Sequence, residues 1–359
     1  MKAAVYRERN KVSIEEVPLP EPGPGEVLLK VQACGVCGTD LKKISHGDPP
    51  PPRIFGHEVA GRVAAVGAGV QGWRLNDRAL FFHHIPCRSC DLCRRKAYAQ
   101  CPQYLKVGTT AGFEPAGGGF AEYVKVMDWI VRDGLVRIPD SITDEEATFV
   151  EPVNTCLKGV RKAGIRPGDP VLILGAGPVG LTLLQLAQLE GADLYVTDPI
   201  RERIETAKKL GAREWTREPA SMQIALVAAA APQAIQTALD AVRPAGRVVL
   251  FAQTRVGELA QVDVGQIGKL EKDLIGSYSA SVDLQQEAAD LVFSRKIQVE
   301  PLITHRFPLA QINEAFAVAS NPSARSLKVI VTPTVIASEA KQSRFENEVA
   351  SSPLRGSSQ

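Results

Sequence analysis

A glycine-rich turn near the middle of the chain most constrains the fold. In VLILGAGPVGLTLLQLA, a continuous apolar run ends at Gly175, and a helical pattern begins directly after it. The stretch ADLYVTD then reads as a second strand and RERIETAKKLGA as a second helix, with IALVAAA, RVVLFA and KDLIGSY as later strands. Because strands that alternate with helices indicate a parallel sheet, we predict an α/β domain here.

The three glycines of this turn have the spacing G-x-G-x-x-G, which in a strand–turn–helix context is typical of dinucleotide binding. Gly175 permits the tight turn, Gly177 lets a pyrophosphate approach the N–H groups at the helix N-terminus, and Gly180 allows close helix–strand packing. Pro178 and Val179 complete the same turn. The turn is therefore the predicted binding site for the cofactor pyrophosphate.

The end of the second strand indicates which dinucleotide to expect. Asp198 would accept hydrogen bonds from ribose hydroxyls and would repel a 2′-phosphate, so NAD is favoured over NADP. Arg203 is included in the predicted cofactor site. Arg201 and Arg203 could each reach a 2′-phosphate instead, although solvated residues in the first turn of a helix are the commoner interpretation.

The connection between the third and fourth strands is unusually short. In the strand order 3-2-1-4, residues 217–223 must cross about 14 Å sideways, and seven extended residues reach about 24 Å. A right-handed crossover normally takes a dozen residues or more. We therefore expect that strand three does not form or that one face of the sheet is left uncovered.

Four of the seven cysteines fall within fifteen residues, in CRSCDLCRRKAYAQC. Their spacing, C-x2-C-x2-C-x7-C, suits a structural zinc with four thiolate ligands, Cys87, Cys90, Cys93 and Cys101. An iron–sulfur cluster is an alternative, although its motifs need a fourth cysteine at a shorter gap, and free or disulfide-bonded thiols are another. A closed four-thiolate site has no open position, so it would fold the loop without performing chemistry.

Length and composition set the wider organisation, since 359 residues favour two domains. Residues 1–154 read as short strands broken by Gly and Pro, 155–295 as the α/β domain, 296–333 as a return to mixed character, and 334–359 as a polar, disordered tail. The net charge of +2 does not favour a nucleic-acid partner. We see no membrane-spanning run and no export signal, so a cytoplasmic protein is expected.

A second set of possible metal ligands lies in ACGVCGTDLKK and FGHEVAGRVAAVGAGV. Cys37, His57 and Glu58 offer a thiolate, an imidazole and a carboxylate, which suit zinc. Taken singly, each could be a buried thiol, a capping histidine or a surface carboxylate. The segment GHE-x2-G-x5-G-x2-V, the stretch Cys37-Gly38-Thr39-Asp40 and the four-cysteine loop together resemble the zinc-dependent medium-chain alcohol and polyol dehydrogenases, over about residues 1–333.

The stretch VEPVNTC makes the chain more similar to the sorbitol and threonine dehydrogenase branch, because Glu151 stands where liver-type enzymes have a cysteine ligand. The resemblance implies a GroES-like, β-rich catalytic domain with both zinc sites, a Rossmann domain with a doubly wound parallel sheet, and a homodimer or homotetramer. It also implies one structural zinc and one catalytic zinc. The catalytic zinc would be held by Cys37, His57 and an acidic ligand, either Glu58 or Glu151.

The resemblance also implies a route for the substrate proton. Thr39 matches the hydroxyl that binds the substrate oxygen and starts a proton relay. The usual terminal histidine of that relay falls at Lys42, and a lysine of ordinary pKa accepts protons poorly at pH 7. His46 is a possible substitute, and His84 matches a histidine that some relatives place near the substrate pocket.

The implied function is hydride transfer between the secondary hydroxyl of a polyol or related alcohol, bound between the domains, and NAD. One alternative is a folded zinc-binding relative with impaired NAD binding and no dehydrogenase activity, suggested by the short crossing and by Lys42. Another is a zinc-free reductase of the same superfamily, against which Cys37 and the GHE motif argue.

Overall fold

The structure is a computed structural model that describes residues 1–47, 50–107, 118–252, 254, 256–321 and 323–333. The tail at 334–359, which the sequence predicts to be disordered, lies outside the described residues. Among the described residues, each helix is too short or too polar to span a bilayer.

The described part of the first half of the chain forms short strands, as its Gly- and Pro-broken pattern predicts, together with several helices. Its elements are β1 (Lys2–Glu8), β2 (Lys11–Glu16), β3 (Val27–Gly35), α1 (Gly38–His46), β4 (Arg53–Ile54), β5 (Glu58–Val66), β6 (Arg78–Phe81), α2 (Asp91–Arg94), α3 (Pro102–Val107), β7 (Tyr123–Val126), α4 (Asp128–Asp133), β8 (Leu135–Arg137), α5 (Asp144–Ala147) and α6 (Val150–Ala163). Helix α6 runs across residue 154, where the sequence places a domain boundary. That boundary stays a prediction.

The second half alternates strands and helices and then returns to the first sheet. Its elements are β9 (Pro170–Leu174), α7 (Pro178–Leu189), β10 (Asp193–Thr197), α8 (Arg201–Lys209), β11 (Arg213–Glu214), β12 (Met222–Val227), α9 (Pro232–Ala241), β13 (Val242–Leu250), α10 (Val264–Lys269), β14 (Asp273–Gly276), α11 (Gln285–Phe293), β15 (Ile303–Pro308), α12 (Ile312–Ser320) and β16 (Lys328–Thr332).

Three sheets organise these elements. A three-stranded sheet has the order β2-β1-β4, and a larger sheet has the order β15-β16-β3-β5-β6-β8, with β7 also paired to β3. The third sheet is parallel, with the order β11-β10-β9-β12-β13-β14. The predicted α/β architecture with strand order 3-2-1-4 is confirmed. Because β16 pairs with β3, the end of the described chain joins the sheet formed by its beginning.

Strand three does form, as the two-residue strand β11, so the expectation that it might be missing is wrong. Residues 215–221, all described, lead from β11 to β12 without a helix. Trp215 is 7% exposed and packs with Leu172 and Leu174 on the sheet face that such a helix would cover. The Trp215 indole donates to the Ser221 hydroxyl at 3.3 Å, which holds the connection against the sheet.

Candidate active site

Cys37 lies at the junction between β3 and α1. It is the N-cap residue of that helix, and the backbone N–H of Thr39 donates to its Sγ at 3.5 Å. A helix N-terminus favours negative charge, so this position suits a thiolate. The strand-to-helix turn therefore presents Cys37 as a metal donor.

His57 and Glu58 reach the same place from the start of β5. Strand β5 pairs antiparallel with β3, and Glu58 lies opposite Gly35. A Cβ atom at Gly35 would lie 2.0 Å from the Glu58 Oε2 atom, so only glycine leaves room for this carboxylate. One donor atom from each of Cys37, His57 and Glu58 lies within 4.8 Å of the others. The structure therefore brings together three residues that the sequence singled out.

Asp40 orients the histidine of this group. The His57 Nδ1 atom lies 3.1 Å from the Asp40 Oδ1 atom, and Asp40 is fully buried. A ligating histidine usually donates its other ring N–H to such a carboxylate, which leaves Nε2 for the metal. Burial lowers the pKa of His57, but the Asp40 and Cys37 charges outweigh burial and raise it well above its usual value. The surroundings therefore favour a positive charge at this point, as a zinc site requires.

Lys328, on the last strand β16, forms a buried ion pair with Glu58. Its ammonium also donates to the Val36 carbonyl at 3.2 Å, and the residue is 5% exposed. Burial lowers the pKa of Lys328, while the charges of Glu58 and Cys37 raise it, and the net shift is upward. The buried Glu58 carboxylate is thus charge-compensated from the far end of the chain.

Glu151, the other acidic candidate, lies outside the group of three donors and lines an adjacent pocket. Burial raises its pKa to about 7, against the opposing charge of His57. The pocket is lined by Phe82, His83, His84, Glu151, Ala280, Ser281, Val282 and Gln285. The structure therefore places His84 beside Glu151, in a pocket next to the donor group.

The two neighbouring histidines belong to a series of ring contacts that runs from His57 to Tyr104, tilted at the first two pairs and stacked at the last. Ring centroids are 4.9 Å apart for His57 and His83, 3.8 Å for His83 and His84, and 4.3 Å for His84 and Tyr104. Burial and neighbouring positive charges lower the pKa of His83 and of His84 well below the usual value. Both rings are therefore neutral at pH 7 and can act as hydrogen-bond donors or acceptors.

Lys42 lies on α1, the helix that begins beside Cys37. Burial lowers its pKa from the ordinary value, although the charges of Cys37 and Glu258 partly oppose this. The shift makes Lys42 a better proton acceptor than an exposed lysine. The role of Thr39 in a proton relay stays a prediction.

The four cysteines of the loop 87–101 form the second group of donors. Their sulfur atoms lie within 4.8 Å of one another, with 3.6 Å between Cys87 and Cys101 and 3.9 Å between Cys87 and Cys93. Four ligands at 2.3 Å from a tetrahedral zinc would be about 3.8 Å apart. Hydrogen bonds from Ser89 and from the Cys90 N–H lower the pKa of Cys87 to about 5. The loop therefore has the spacing of a zinc–thiolate site.

The glycine-rich turn has the geometry of a pyrophosphate-binding turn. Gly175 has φ +100°, and a Cβ atom at Gly180 would lie 1.8 Å from the Gly175 carbonyl oxygen. Gly177 is the N-cap of α7, and Pro178 is its first residue. These positions leave the N-terminus of α7 open to an anion.

Asp198 and Arg203 flank this turn. The Asp198 carboxylate accepts hydrogen bonds from the backbone N–H groups of Ala176, at 2.7 Å, and Ile200, at 2.8 Å. The Arg203 guanidinium donates to the Ser326 carbonyl at 2.7 Å. Both side chains are therefore fixed near the predicted ribose site by backbone contacts.

Sequence reasoning did not assign roles to three charged or polar residues near the site. The sequence placed Asp40 in the Cys37-Gly38-Thr39-Asp40 motif but predicted no contact for it. Its contact with His57 spans 17 residues. Lys328 interrupts the apolar strand SLKVIVT, and a lysine in such a run is a signal that a buried partner exists. Asn154, fully buried within α6, gave no local signal.

A parallel dinucleotide-type sheet beside a thiolate–imidazole–carboxylate group defines the class of metal- and nucleotide-dependent oxidoreductases. Residues 23–140 match the family model of the alcohol dehydrogenase GroES-like domain, and residues 178–294 match that of the zinc-binding dehydrogenases. The chain belongs to the zinc-dependent medium-chain dehydrogenase family. It is accordingly an oxidoreductase that acts on alcohol hydroxyl groups with zinc and a nicotinamide cofactor.

Individual relatives cover nearly the whole chain. Sorbitol dehydrogenase of Bacillus subtilis is 31% identical over 93% of this chain and 97% of its own length. L-threonine 3-dehydrogenase of Pyrococcus horikoshii is 34% identical over 81% of this chain and 87% of its own. Among solved structures, a zinc-binding dehydrogenase from Sinorhizobium meliloti bound to NADP is 28% identical, with a TM-score of 0.82, covering 92% of this chain and 99% of its own.

Proposed function

We propose that this enzyme oxidises a secondary hydroxyl of a polyol or a closely related alcohol with NAD, and reduces the matching ketone in reverse. The observation that carries the proposal is the convergence of Cys37, His57 and Glu58 beside a small cavity whose lining includes His84, Glu151 and Gln285. A substrate with several hydroxyls bound at the donor group would meet the His84 ring and the Gln285 amide at this cavity. The relatives named for sorbitol and threonine support this substrate class.

In this proposal Cys37, His57 and Glu58 hold the catalytic zinc at rest, and Glu151 acts from the pocket. The geometry favours Glu58, because its donor atom lies within the group and that of Glu151 does not. The four cysteines 87, 90, 93 and 101 hold the structural zinc. When bound, zinc polarises the substrate oxygen and NAD accepts the hydride, which is the chemistry that the chain itself lacks.

The chain's own residues position the groups and carry the proton. Asp40 fixes the tautomer of His57, and Lys328 balances the charge of Glu58. In a concerted relay, the Thr39 hydroxyl would accept the proton of the substrate hydroxyl while donating its own proton towards the uncharged amine of Lys42, whose pKa burial lowers. Buried His83 excludes water from one side of the donor group.

NAD is the proposed cofactor because of Asp198. Its carboxylate is held in place by two backbone N–H groups and keeps lone pairs for ribose hydroxyls, whereas a 2′-phosphate would meet a like charge. Arg201 lies within 4 Å of the Glu205 and Glu214 carboxylates, and Arg203 is bonded to Ser326. These contacts reduce the capacity of either arginine to bind a 2′-phosphate.

We also propose a surface for assembly and a cellular location. Strand β14 is the last strand in its sheet order, and the nearby Leu274 and Tyr278 side chains are 37% and 42% exposed. A homodimer or homotetramer could form at this edge. A cytoplasmic location fits the free thiols of both metal-donor groups.

A test combines metal analysis with a substrate panel. The purified protein should contain two zinc ions per chain and should reduce NAD with D-sorbitol, xylitol or 2,3-butanediol faster than with ethanol. Titration of NADH fluorescence distinguishes the alternative of an inactive zinc-binding relative, because that alternative requires no NADH binding. A single zinc per chain, or no turnover on the whole panel, would contradict the proposal.

A further inference from the structure

One face of α6 binds the backbone of the segment that follows β14. Asn154 and Lys158 lie one turn apart on this helix and therefore share a face. The Asn154 amide donates to the Ser281 carbonyl at 3.1 Å and accepts from the Ser281 N–H at 2.9 Å. The Lys158 ammonium donates to the carbonyls of Tyr278 at 2.8 Å and Ala280 at 3.4 Å. We call Asn154 and Lys158 the α6 clamp.

The clamp takes the place of a neighbouring strand for this segment. The Ser277 N–H still bonds to the Leu250 carbonyl of β13 at 3.0 Å, but residues 278–281 continue beyond β14, the last strand in the sheet order, so their backbone groups need other partners. Asn154 is fully buried and satisfies both backbone groups of Ser281, as a paired strand residue would. Asn154 thus holds Ser281 from the α6 side, while the Leu284 N–H, at 3.1 Å from the Ser281 carbonyl, holds it from within its own segment.

The clamped segment is one wall of the cavity beside the donor group, which the proposed function assigns to the substrate. Ala280, Ser281 and Val282 line the pocket together with Glu151 and His84. Glu151 lies three residues before Asn154 on the same helix. The Asn154–Ser281 hydrogen bonds therefore fix the spacing between the Glu151 carboxyl group and the opposite wall.

Tyr104, which packs in a cluster with Cys93 and Cys101, holds the segment 277–281 from the side opposite α6. Ser279 has φ +58°, a left-handed conformation that a non-glycine residue keeps only where its neighbours hold it. Its hydroxyl lies 2.6 Å from the Tyr104 hydroxyl, and the Tyr104 ring stacks on His84. The wall is therefore held between α6 and Tyr104 in a conformation that it would not keep alone.

We propose that Asn154 is a positioning residue for the dehydrogenase reaction, with Lys158 in a supporting role. Asn154 acts through Ser281: it sets the width of the pocket between Glu151 and the 280–282 wall, and so the orientation of the substrate hydroxyl. This inference rests on the proposed function. Lys162, one turn further along, donates to the Gly276 carbonyl at 2.7 Å in an exposed contact outside the pocket, and it serves as the matched control.

The test compares Asn154→Ala, Asn154→Asp, Lys158→Met and Lys162→Met in the zinc-loaded enzyme, with NAD and D-sorbitol, xylitol or 2,3-butanediol. Misplacing a pocket wall by about 1 Å can cost on the order of 100-fold in rate. We expect kcat/KM to fall about 10- to 100-fold in Asn154→Ala, with zinc content unchanged, and to stay within about twofold of wild type in Lys162→Met.

Asn154→Asp keeps the size of the side chain but replaces the donor to the Ser281 carbonyl with a carboxylate oxygen. We expect it to lose kcat/KM at least as far as Asn154→Ala does, and thermal stability is measured beside it, because a carboxylate at this buried position also costs folding stability. If Asn154→Ala does not fold, Asn154→Asp and Lys158→Met decide the matter. Hydrogen exchange of residues 277–284 should be faster in the Asn154 variants and unchanged in Lys162→Met.

The outcomes separate this inference from the function on which it rests. A wild-type enzyme that oxidises none of the three probes overturns the proposed function, and the positioning role with it. A wild-type enzyme that is active, with Asn154 variants that lose thermal stability but keep kcat and KM within about twofold, overturns the positioning role alone. Unchanged exchange of residues 277–284 in those variants would also overturn it.

Discussion

The two groups of metal donors differ in how the chain builds them. The four-cysteine group comes from a single loop of fifteen residues, and its ligands need little help from the rest of the fold. The group of Cys37, His57 and Glu58 comes from two places in the chain, the β3–α1 junction and the start of β5, and Asp40 and Lys328 complete its charge balance. Under the proposed assignment, the structural zinc site is local, whereas the site with an open coordination position depends on support from distant residues.

The strongest test of this contrast removes one thiolate from each group, beginning with Cys37→Ala. Loss of this ligand should abolish turnover, by a factor on the order of 10³ or more, because the substrate oxygen is no longer polarised. The thermal unfolding midpoint should change little, since the β3 and β5 ladders remain. Near-normal turnover in Cys37→Ala would show that the ligand assignment is wrong.

The matched variant in the other group is Cys93→Ala. Because metal binding contributes directly to the folding of such a loop, we expect a loss of about 3 kcal/mol or more and a fall in Tm of roughly 10 °C. Metal analysis should show one zinc lost per chain, and turnover of the remaining folded protein should persist. If Cys93→Ala were fully stable but inactive, the two groups would have exchanged roles.

A smaller effect is expected from Asp40→Asn, which tests the support of the catalytic group. Removal of a carboxylate that orients a ligating histidine typically costs 10- to 100-fold in metal affinity or activity. Competition with a chelator should therefore strip the catalytic zinc from Asp40→Asn first and leave the four-cysteine zinc in place. If both zinc ions of Asp40→Asn resisted the chelator equally, the catalytic group would not depend on Asp40 for its support.

The smallest expected effect concerns pH and Lys158. Burial and the nearby Lys162 charge lower the pKa of Lys158 from 10.5 to about 8, although the Asp283 charge opposes the shift. Between pH 8 and 10.5 the unfolded chain therefore binds more protons at this residue than the folded chain, so this group makes stability rise with pH in that window. In Lys158→Met, the difference in unfolding free energy between pH 8 and pH 10.5 should shift downwards relative to wild type, as denaturant titrations can measure. An identical pH dependence in both proteins would contradict the lowered pKa.

Features that depend on neighbouring residues were predictable from the sequence. The glycine turn predicted the parallel sheet, and the strand order 3-2-1-4 is confirmed. The cysteine spacing predicted a set of sulfur atoms that the structure brings within 4.8 Å. In both cases the geometry can be predicted from a short stretch of sequence, because the conformation of a turn and the spacing of ligands in a loop are set within a few residues.

Features that depend on distant residues were not predictable. The short connection after β11 suggested a missing strand or an uncovered sheet face, but β11 forms and Trp215 belongs to the same apolar cluster as Leu172 and Leu174. The pairing of Glu58 with Lys328 spans 270 residues, and that of Asn154 with Ser281 spans 127. No local periodicity records such contacts.

The position of Lys328 on β16 has a consequence for synthesis of the protein. The ammonium that neutralises Glu58 is among the last described residues to leave the ribosome, long after the cysteine and histidine ligands have emerged. A nascent chain that has not yet reached β16 therefore lacks the ammonium that pairs with Glu58. A chain cut before β16 would keep the earlier segments but leave this buried carboxylate without its partner.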